Sequence, residues 1–312
     1  MSKSIVAALQ IGSSINGKSE TLKNIMQQEQ AIIDSKASLV VMPEALLGGY
    51  PKGSLFGTYL GYRLPQGRKL YTEYYNNAVD VPGPETEEIA ALSQRTGANI
   101  VIGVIERSEN TLYCTALFFT PEHGLITKHR KLMPTGTERL IWGQGDGSTL
   151  PIVNTTVGRI GAVVCWENYM PLLRTAMYAK GIDIWCAPTV DTREIWQSSM
   201  RHIAYEGRCF VISACQVQPS PKDLGIEVPH WESTTPLMQG NSVIINPYGE
   251  ILAGPLQNKT GLICTQIDTD DIIGARYDFD VVGHYSRPDI FSLKVDERAK
   301  KNVEFVNNLS NP

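Results

Sequence analysis

The chain has 312 residues, of which 42% are hydrophobic and 19% are charged. These proportions provide enough apolar side chains for a large core and exclude a disordered chain. The net charge is −4 and no long basic run occurs, which argues against a nucleic-acid partner. No segment approaches the roughly 18 uninterrupted apolar residues of a membrane span, and the N-terminal residues lack a signal-peptide pattern. We therefore expect a cytoplasmic protein without a membrane partner.

Short runs rich in β-branched residues alternate with longer amphipathic stretches along the chain. The short runs predict strands at residues 5–11, 38–42, 99–104, 113–119, 124–128, 159–164, 182–187, 210–214, 242–246, 250–253 and 261–267. The amphipathic stretches predict helices at residues 19–35, 84–96, 171–180, 193–207, 269–277 and 295–307. Strands that alternate with helices indicate an α/β or mixed layered fold, and strand–turn–strand patterns at 113–128 and 242–267 indicate mixed sheets. Since no repeat or linker interrupts the chain, a single domain over residues 1–312 is the simplest interpretation.

Three of the predicted strands lead directly into an ionisable side chain. The run LVVMP leads into Glu44, the run GLITKHR into Lys131, and the run IGAVV into Cys165. Strand ends are where α/β folds collect functional side chains, because the rigid strands aim those side chains into a crevice. Taken singly, each residue also has an ordinary explanation: an inert buried thiol, a solvated carboxylate, or an exposed basic patch.

Together, the three side chains can support nucleophilic chemistry that none could support alone. A thiol with a pKa of about 8.5 needs an adjacent base or cation to attack at neutral pH. A carboxylate close to Cys165 can accept its proton, and an ammonium can lower the pKa of the thiol and stabilise negative charge on a substrate. Of the five histidines, only His129 lies at an obvious strand end, so Cys–Glu–Lys chemistry fits the sequence better than Cys–His chemistry. No His and Cys set has metal-ligand spacing, so we expect no metal site.

The segments that carry these residues resemble the signature blocks of the nitrilase branch of the carbon–nitrogen hydrolase superfamily. They read MPEALLGGYP at 42–51, HRKLMPTGTER at 129–139 and VCWENYMP at 164–171. The block GHYSRPD at 283–289 is similar to the end of the nitrilase domain. The resemblance therefore covers nearly the whole chain, with a domain core at about 4–290 and a tail at 291–312.

The resemblance implies a role for each matching residue. It makes Cys165 the nucleophile, Glu44 the general base and Lys131 the cation at the tetrahedral centre. Glu138 matches a second glutamate that supports the site, although a surface salt bridge is its ordinary alternative. Trp166 and Glu167 match the Cys-Trp-Glu of nitrilases proper, whereas relatives that cleave amides more often carry other residues there.

Three aromatic residues complete the implied site. Tyr50 and Trp142 are expected to line the substrate pocket together with Trp166, although aromatic side chains in such positions are as often plain core. The implied substrate is a small-molecule nitrile, hydrolysed to a carboxylic acid and ammonia without a metal or organic cofactor. The implied fold is a four-layer α-β-β-α sandwich, whose subunits pair as homodimers that build larger homo-oligomers.

Three alternatives stay open at this point. An amide-directed hydrolase, such as an aliphatic amidase or carbamoylase, would use the same residues, and so would a cyanide hydratase or dihydratase. A non-catalytic protein would carry Cys165 as a redox-sensing or merely buried thiol, and its six cysteines would be alkylated slowly and without selectivity. The enzyme interpretation instead predicts that Cys165 is alkylated fastest and has a lowered pKa.

Overall fold

A computed structural model describes residues 3–301 and 303 of the chain. The strands of this part are β1 (Lys3–Gln10), β2 (Leu39–Val41), β3 (Thr58–Tyr59), β4 (Tyr62–Arg63), β5 (Val79–Asp80), β6 (Asn99–Ser108), β7 (Thr111–Thr120), β8 (Gly124–Arg130), β9 (Val153–Thr155), β10 (Gly158–Ala162), β11 (Ile184–Thr189), β12 (Phe210–Cys215), β13 (Val217–Gln218), β14 (Met238–Ile245), β15 (Ile251–Gln257) and β16 (Gly261–Asp268). The helices are α1 (Lys18–Met26), α2 (Glu29–Ser35), α3 (Pro65–Asn77), α4 (Pro84–Thr96), α5 (Pro171–Ala179), α6 (Glu194–Gly207), α7 (Pro221–Leu224) and α8 (Asp270–Asp278). Short 3₁₀ segments span Gly136–Leu140, Gly147–Thr149 and Cys165–Tyr169.

The larger strands form two mixed sheets. The first has the order β16-β1-β2-β6-β7-β8, with β5 paired to β6, and the second has the order β13-β14-β12-β11-β10-β9, with β15 paired to β14. In the first sheet β1, β2 and β6 are parallel, whereas β16, β7 and β8 pair with their neighbours antiparallel. In the second sheet β10, β11 and β12 are parallel and β14 is antiparallel to β12.

The apolar side chains form three clusters that define four layers. One cluster lies between the sheets and joins residues such as Val41 and Phe118 of the first sheet to Ile184 and Ile212 of the second. A second cluster packs the outer face of the first sheet against α1, α2 and α4. A third packs the outer face of the second sheet against α5 and α6. The predicted α/β fold, an α-β-β-α sandwich with mixed sheets, is confirmed.

The eleven predicted strands and the helices at 84–96, 171–180, 193–207 and 269–277 are all found. The predicted helix at 19–35 is interrupted and forms α1 and α2. Helix α3 was not predicted, because its sequence is largely polar and Gly67 is its one buried residue. Strand β15 extends beyond the predicted residues 250–253 through Pro255, which the pairing tolerates because Pro255 lies in a register irregularity and has no partner on β14.

The predicted helix at 295–307 is wrong for residues 295–301, which form no helical turn. The Asp296 carboxylate accepts the backbone N–H of Arg298 and contacts the side chains of Arg298 and Lys300. Such local side-chain bonds compete with the helical hydrogen bonds. Residue 302 and residues 304–307 of this prediction lie outside the described residues.

No helix among residues 3–301 and 303 has the length and apolar character needed to cross a membrane.

A glycine in β6 lets the segment after β2 lie directly against the sheet. The N–H of Gly103 donates to the Pro43 carbonyl at 3.0 Å, and the Gly103 carbonyl accepts the N–H of Leu46 at 2.8 Å. A Cβ at position 103 would lie 2.4 Å from the Pro43 oxygen and 2.5 Å from the Glu44 Cα. Gly103 thus fixes where the backbone of Glu44 leaves the sheet.

We expect Gly103→Ala to lower the free energy of unfolding by about 1–3 kcal/mol, because the added methyl group meets backbone atoms that cannot move independently. Urea denaturation monitored by fluorescence measures the change. Gly274→Ala on α8 is the matched control, since its added Cβ would meet only the Tyr248 hydroxyl, at 3.3 Å, on a partly exposed side chain. A Gly103→Ala protein as stable as the unmodified chain would contradict the steric argument.

Candidate active site

Glu44 lies three residues beyond the end of β2 and is fully buried. The residue after it, Ala45, has a φ of 50°, so the chain turns sharply just beyond the carboxylate. The Gln216 side chain donates to the Glu44 carbonyl at 2.8 Å and accepts the backbone N–H of Ser13 at 3.0 Å. The Glu44 backbone is therefore held from both sheets, by Gly103 on one side and Gln216 on the other.

Lys131 follows the last residue of β8 and is also fully buried. Two antiparallel pairings separate β8 from β6, so β8 runs in the same direction as β2 and ends at the same edge of the sheet. The Lys131 Nζ donates to Glu44 Oε1 at 2.7 Å and to Glu138 Oε2 at 2.8 Å. Burial alone would lower the pKa of Lys131, but the charges of Glu44 and its neighbours raise it well above the usual range. Lys131 is therefore an ammonium.

Glu138 lies seven residues after Lys131, in the 3₁₀ segment Gly136–Leu140. Its Oε2 accepts the backbone N–H of Thr135 at 2.6 Å in addition to Lys131, and its Oε1 accepts the Tyr50 hydroxyl at 2.8 Å. The local N-terminal cap thus orients a carboxylate toward the lysine. Glu138 is a buried partner of Lys131, so its alternative interpretation as a surface salt bridge is wrong.

Cys165 stands where β10 has ended and a 3₁₀ segment begins. Its φ is 50°, a left-handed conformation that is costly for a residue with a side chain and that often occurs at functional sites. The Thr189 hydroxyl donates to Cys165 Sγ at 3.2 Å while it accepts the N–H of Asp191 at 2.9 Å. Because the Thr189 oxygen accepts the N–H of Asp191, its hydroxyl hydrogen is available to donate to Cys165 Sγ.

The electrostatics around the thiol differ from our expectation. Burial raises the pKa of the Cys165 thiol well above its usual range, and the negative charge of Glu44 raises it further. Lys131 and Thr189 lower the pKa but do not outweigh these effects, because one ammonium faces two carboxylates. The expectation that Lys131 gives Cys165 a lowered pKa is therefore wrong. The raised pKa favours the neutral thiol in the free site.

The Glu44 carboxyl has an unused acceptor. Its Oε1 accepts from Lys131, and the Cys114 thiol donates weakly to the same atom at 3.5 Å. Its Oε2 is buried without a conventional hydrogen-bond partner among the described residues. Burial raises the pKa of Glu44, while Lys131 and the nearby Cys165 thiol lower it in part. A carboxylate with a raised pKa and a free oxygen can take up the thiol proton.

The three predicted aromatic residues lie in different surroundings. Tyr50 and Trp142 contact each other edge to face, with ring centroids 5.8 Å apart, and the Lys131 Nζ lies 5.5 Å from the Trp142 ring. Trp142 is buried in the core between the sheets. Trp166 is 42% exposed and donates from Nε1 to Asp191 at 2.9 Å. Tyr50 and Trp142 are thus brought together with the lysine, and Trp166 is not.

The Glu167 carboxylate connects the backbone just before Cys165 to the backbone just after Lys131. One carboxylate oxygen accepts the N–H of Leu132 at 2.6 Å, and the other accepts the N–H of Val164 at 2.9 Å and His129 Nε2 at 3.0 Å. Burial alone would lower the pKa of His129, but the charge of Glu167 raises it. His129 is therefore bound to Glu167, and no hydrogen bond joins it to Cys165 among the described residues.

Thr189 and Gln216 were not predicted from the sequence. Thr189 is the last residue of β11, which runs parallel to β10, so the rule that strand ends collect functional side chains could have found it. Gln216 carries no comparable signal, since it acts through a side-chain contact with residues about 170 positions earlier. Among residues 3–301 and 303, no group of three His, Cys, Asp or Glu side chains is placed to hold a metal ion.

Comparisons with known proteins agree with this geometry. Residues 5–277 match the family model described as carbon-nitrogen hydrolase. The chain is 50% identical over 302 residues to an aliphatic nitrilase of Sinorhizobium fredii, covering 96% of both chains. It is 51% identical over 278 residues to the bifunctional nitrilase/nitrile hydratase NIT4A of Lupinus angustifolius, covering 86% of this chain and 79% of that protein.

The fold has a match among solved structures as well. The crystal structure of XC1258 from Xanthomonas campestris, a CN-hydrolase superfamily protein, aligns with a TM-score of 0.72 at 18% identity, covering 94% of this chain and 100% of that one. Similarity at this level of identity concerns the fold, whereas the family model and the relatives at about half identity concern the sequence over nearly its full length. The chain therefore belongs to the carbon–nitrogen hydrolase family.

Proposed function

We propose that the chain is a nitrilase that hydrolyses a small-molecule nitrile to a carboxylic acid and ammonia. The observation that carries the proposal is the 50% identity, over 96% of both chains, to a protein named aliphatic nitrilase. The geometry supports the same chemistry, because a thiol, a carboxylate with a free oxygen and a buried ammonium lie in one cluster. In this proposal Cys165 is the nucleophile, Glu44 the general base, and Lys131 the cation.

The first half of the reaction forms a covalent intermediate. Glu44 Oε2 takes the thiol proton as Cys165 Sγ attacks the nitrile carbon, and that proton passes to the nitrile nitrogen to give a neutral thioimidate. Because the raised pKa favours a neutral resting thiol, proton removal must precede or accompany the attack. Lys131 uses two of its three N–H bonds on Glu44 and Glu138, which leaves one for the substrate.

The second half releases the products. Water adds to the thioimidate carbon, and the tetrahedral species expels ammonia to leave a thioester. A second water hydrolyses the thioester to the carboxylic acid and restores the thiol, so two waters are consumed for each nitrile. If the tetrahedral species expels the thiol first, the product is an amide. The lupin relative is named a bifunctional nitrilase/nitrile hydratase, so the ratio of acid to amide product should be measured for this chain as well.

The same proposal includes the domain organisation, cellular location and oligomeric state of the enzyme. We propose a single domain over residues 1–312 in a cytoplasmic enzyme that forms homodimers and larger homo-oligomers. Exposed apolar side chains on or beside the outer helices α5 and α6 support self-association, namely Leu172, Ile195 and Tyr205, which are 67%, 54% and 51% exposed. Glu138 is proposed to hold Lys131 in place, while Tyr50, Trp142 and Trp166 are proposed as pocket residues.

Incubation with a panel of aliphatic and aromatic nitriles tests the function. We expect ammonia from at least one nitrile, and Cys165→Ala should lower the rate by at least about 10³-fold, because it removes the nucleophile. Cys264→Ala changes an exposed cysteine outside the site and serves as the control. Amides that match the nitriles should be assayed in parallel, since faster release of ammonia from the amides would favour an amide-directed hydrolase. No ammonia from any nitrile by folded protein, or full activity in Cys165→Ala, would contradict the proposal.

The Thr189 hydroxyl should stabilise the sulfur whenever it carries negative charge. We expect Thr189→Val to lower kcat/KM and the alkylation rate of Cys165 roughly 10- to 100-fold, which corresponds to one hydrogen bond to a charged atom. Thr189→Ser keeps the hydroxyl and should retain most of the activity. Steady-state kinetics with the best nitrile measures the effect. Equal activity of the Val and Ser variants would show that the hydrogen bond to Sγ is irrelevant.

The raised pKa of Cys165 should be visible in its alkylation by iodoacetamide. A raised pKa means less thiolate at a given pH, so the rate at Cys165 should keep rising with pH beyond about 8.5, where a free thiol begins to level off. Peptide mass spectrometry after timed labelling follows Cys165 alone, and free glutathione provides the reference curve. A plateau below pH 8 would mean that Lys131 does lower the thiol pKa.

A further inference from the structure

A second lysine lies close to the proposed site and has no role in the mechanism above. Lys52 follows Tyr50 and Pro51 and lines a cavity of about 380 Å³ that is also lined by Tyr50 and Glu138. Most of the remaining wall is apolar, formed by Leu55, Phe56, Leu140, Ile141 and Pro229. The cavity wall thus includes two partners in the Lys131 cluster, Tyr50 and Glu138, together with a second cation and several apolar side chains.

Two loops hold the Lys52 ammonium in place. Gly53 has a φ of +77°, and a Cβ there would lie 2.2 Å from Val228 Cγ1, so the two loops touch at this glycine. The Lys52 Nζ lies 4.8 Å from the centre of the Trp231 ring, and Trp231 donates from Nε1 to the Thr235 carbonyl at 3.0 Å. A cation–π contact with an anchored ring restricts a side chain that would otherwise be flexible.

Lys52 also lacks an opposite charge. Among the described residues no carboxylate lies within 4.0 Å of its Nζ. Glu138 is occupied by Lys131 and Tyr50, and Asp191 is occupied by Arg193 and Trp166. Burial lowers the pKa of Lys52, and nearby acidic side chains such as Asp191 offset this only in part. A half-buried ammonium without a carboxylate is stabilised by any anion that enters beside it.

We propose that Lys52 binds a carboxylate at the end of the substrate opposite the cyano group, so that this enzyme prefers nitriles that also carry a carboxylate. The proposal rests on the proposed nitrilase function. The nitrile carbon would lie at Cys165, the apolar linker along the cavity wall, and the carboxylate against Lys52. Of the charged residues in the cavity wall, Glu138 is already paired with Lys131, so Lys52 is the charge left for a ligand.

The test compares two nitriles that differ only in charge. In 5-oxohexanenitrile a methyl ketone replaces the carboxylate of 4-cyanobutanoate, and the carbon skeleton is otherwise kept. We expect the unmodified enzyme to prefer 4-cyanobutanoate in kcat/KM by at least about tenfold, the effect of one partly desolvated ion pair. Lys52→Met should lower this preference by at least about tenfold, and Lys52→Arg should keep it because the cation is retained. Lys69→Met removes a lysine that is 83% exposed on α3 and should leave the preference unchanged.

Each possible outcome supports or contradicts the proposed role of Lys52. Hydrolysis of both nitriles without a preference, or the same preference in Lys52→Met, overturns the role of Lys52 and leaves the nitrilase function intact. No ammonia from either nitrile, or from the wider panel, by folded protein overturns both. If Lys52→Met does not fold, the preference of the unmodified enzyme between the two nitriles is measured at low and at high salt instead. Its preference should shrink as salt screens the ion pair, and a preference independent of salt would overturn the proposal.

Discussion

The buried ion cluster of Lys131, Glu44 and Glu138 is the constraint on which the site depends. Removing these charges from water costs several kcal/mol for each ion, so the cluster is stable only if every partner is in place. The structure meets this condition by adding neutral donors, the Thr135 N–H and the Tyr50 hydroxyl, to the carboxylate of Glu138. Ion pairs as well as apolar packing therefore fix the positions of the residues after β2 and β8 relative to the 3₁₀ segment Gly136–Leu140.

The cluster also contributes, after burial, to the raised pKa of the Cys165 thiol. With two carboxylates and one ammonium, the site carries a net charge of −1 when both carboxylates are ionised. Burial is the main reason that the pKa of Cys165 is raised, and a thiolate beside that charge would be unfavourable as well. Once a proton has moved to Glu44, the cluster becomes neutral and the sulfur can bond to carbon.

Much of this arrangement follows from the sequence because it rests on local patterns. Apolar runs that end in Glu44, Lys131 and Cys165 predict both the strands and the side chains at their ends, and the layered fold follows from alternating elements. The contacts across the sheets do not follow, since Gln216 reaches Glu44 over 172 positions of the chain. The pKa of Cys165 was mispredicted for a related reason. Residue types reveal which charges are present, but burial and pairing decide which of them dominates.

The bridging carboxylate of Glu167 has a consequence for how the two halves of the site move. Because it binds the backbone just before Cys165 and just after Lys131, one rigid planar group spans the two segments. While both hydrogen bonds are kept, the backbone before Cys165 and the backbone after Lys131 can separate only as far as one carboxylate group allows.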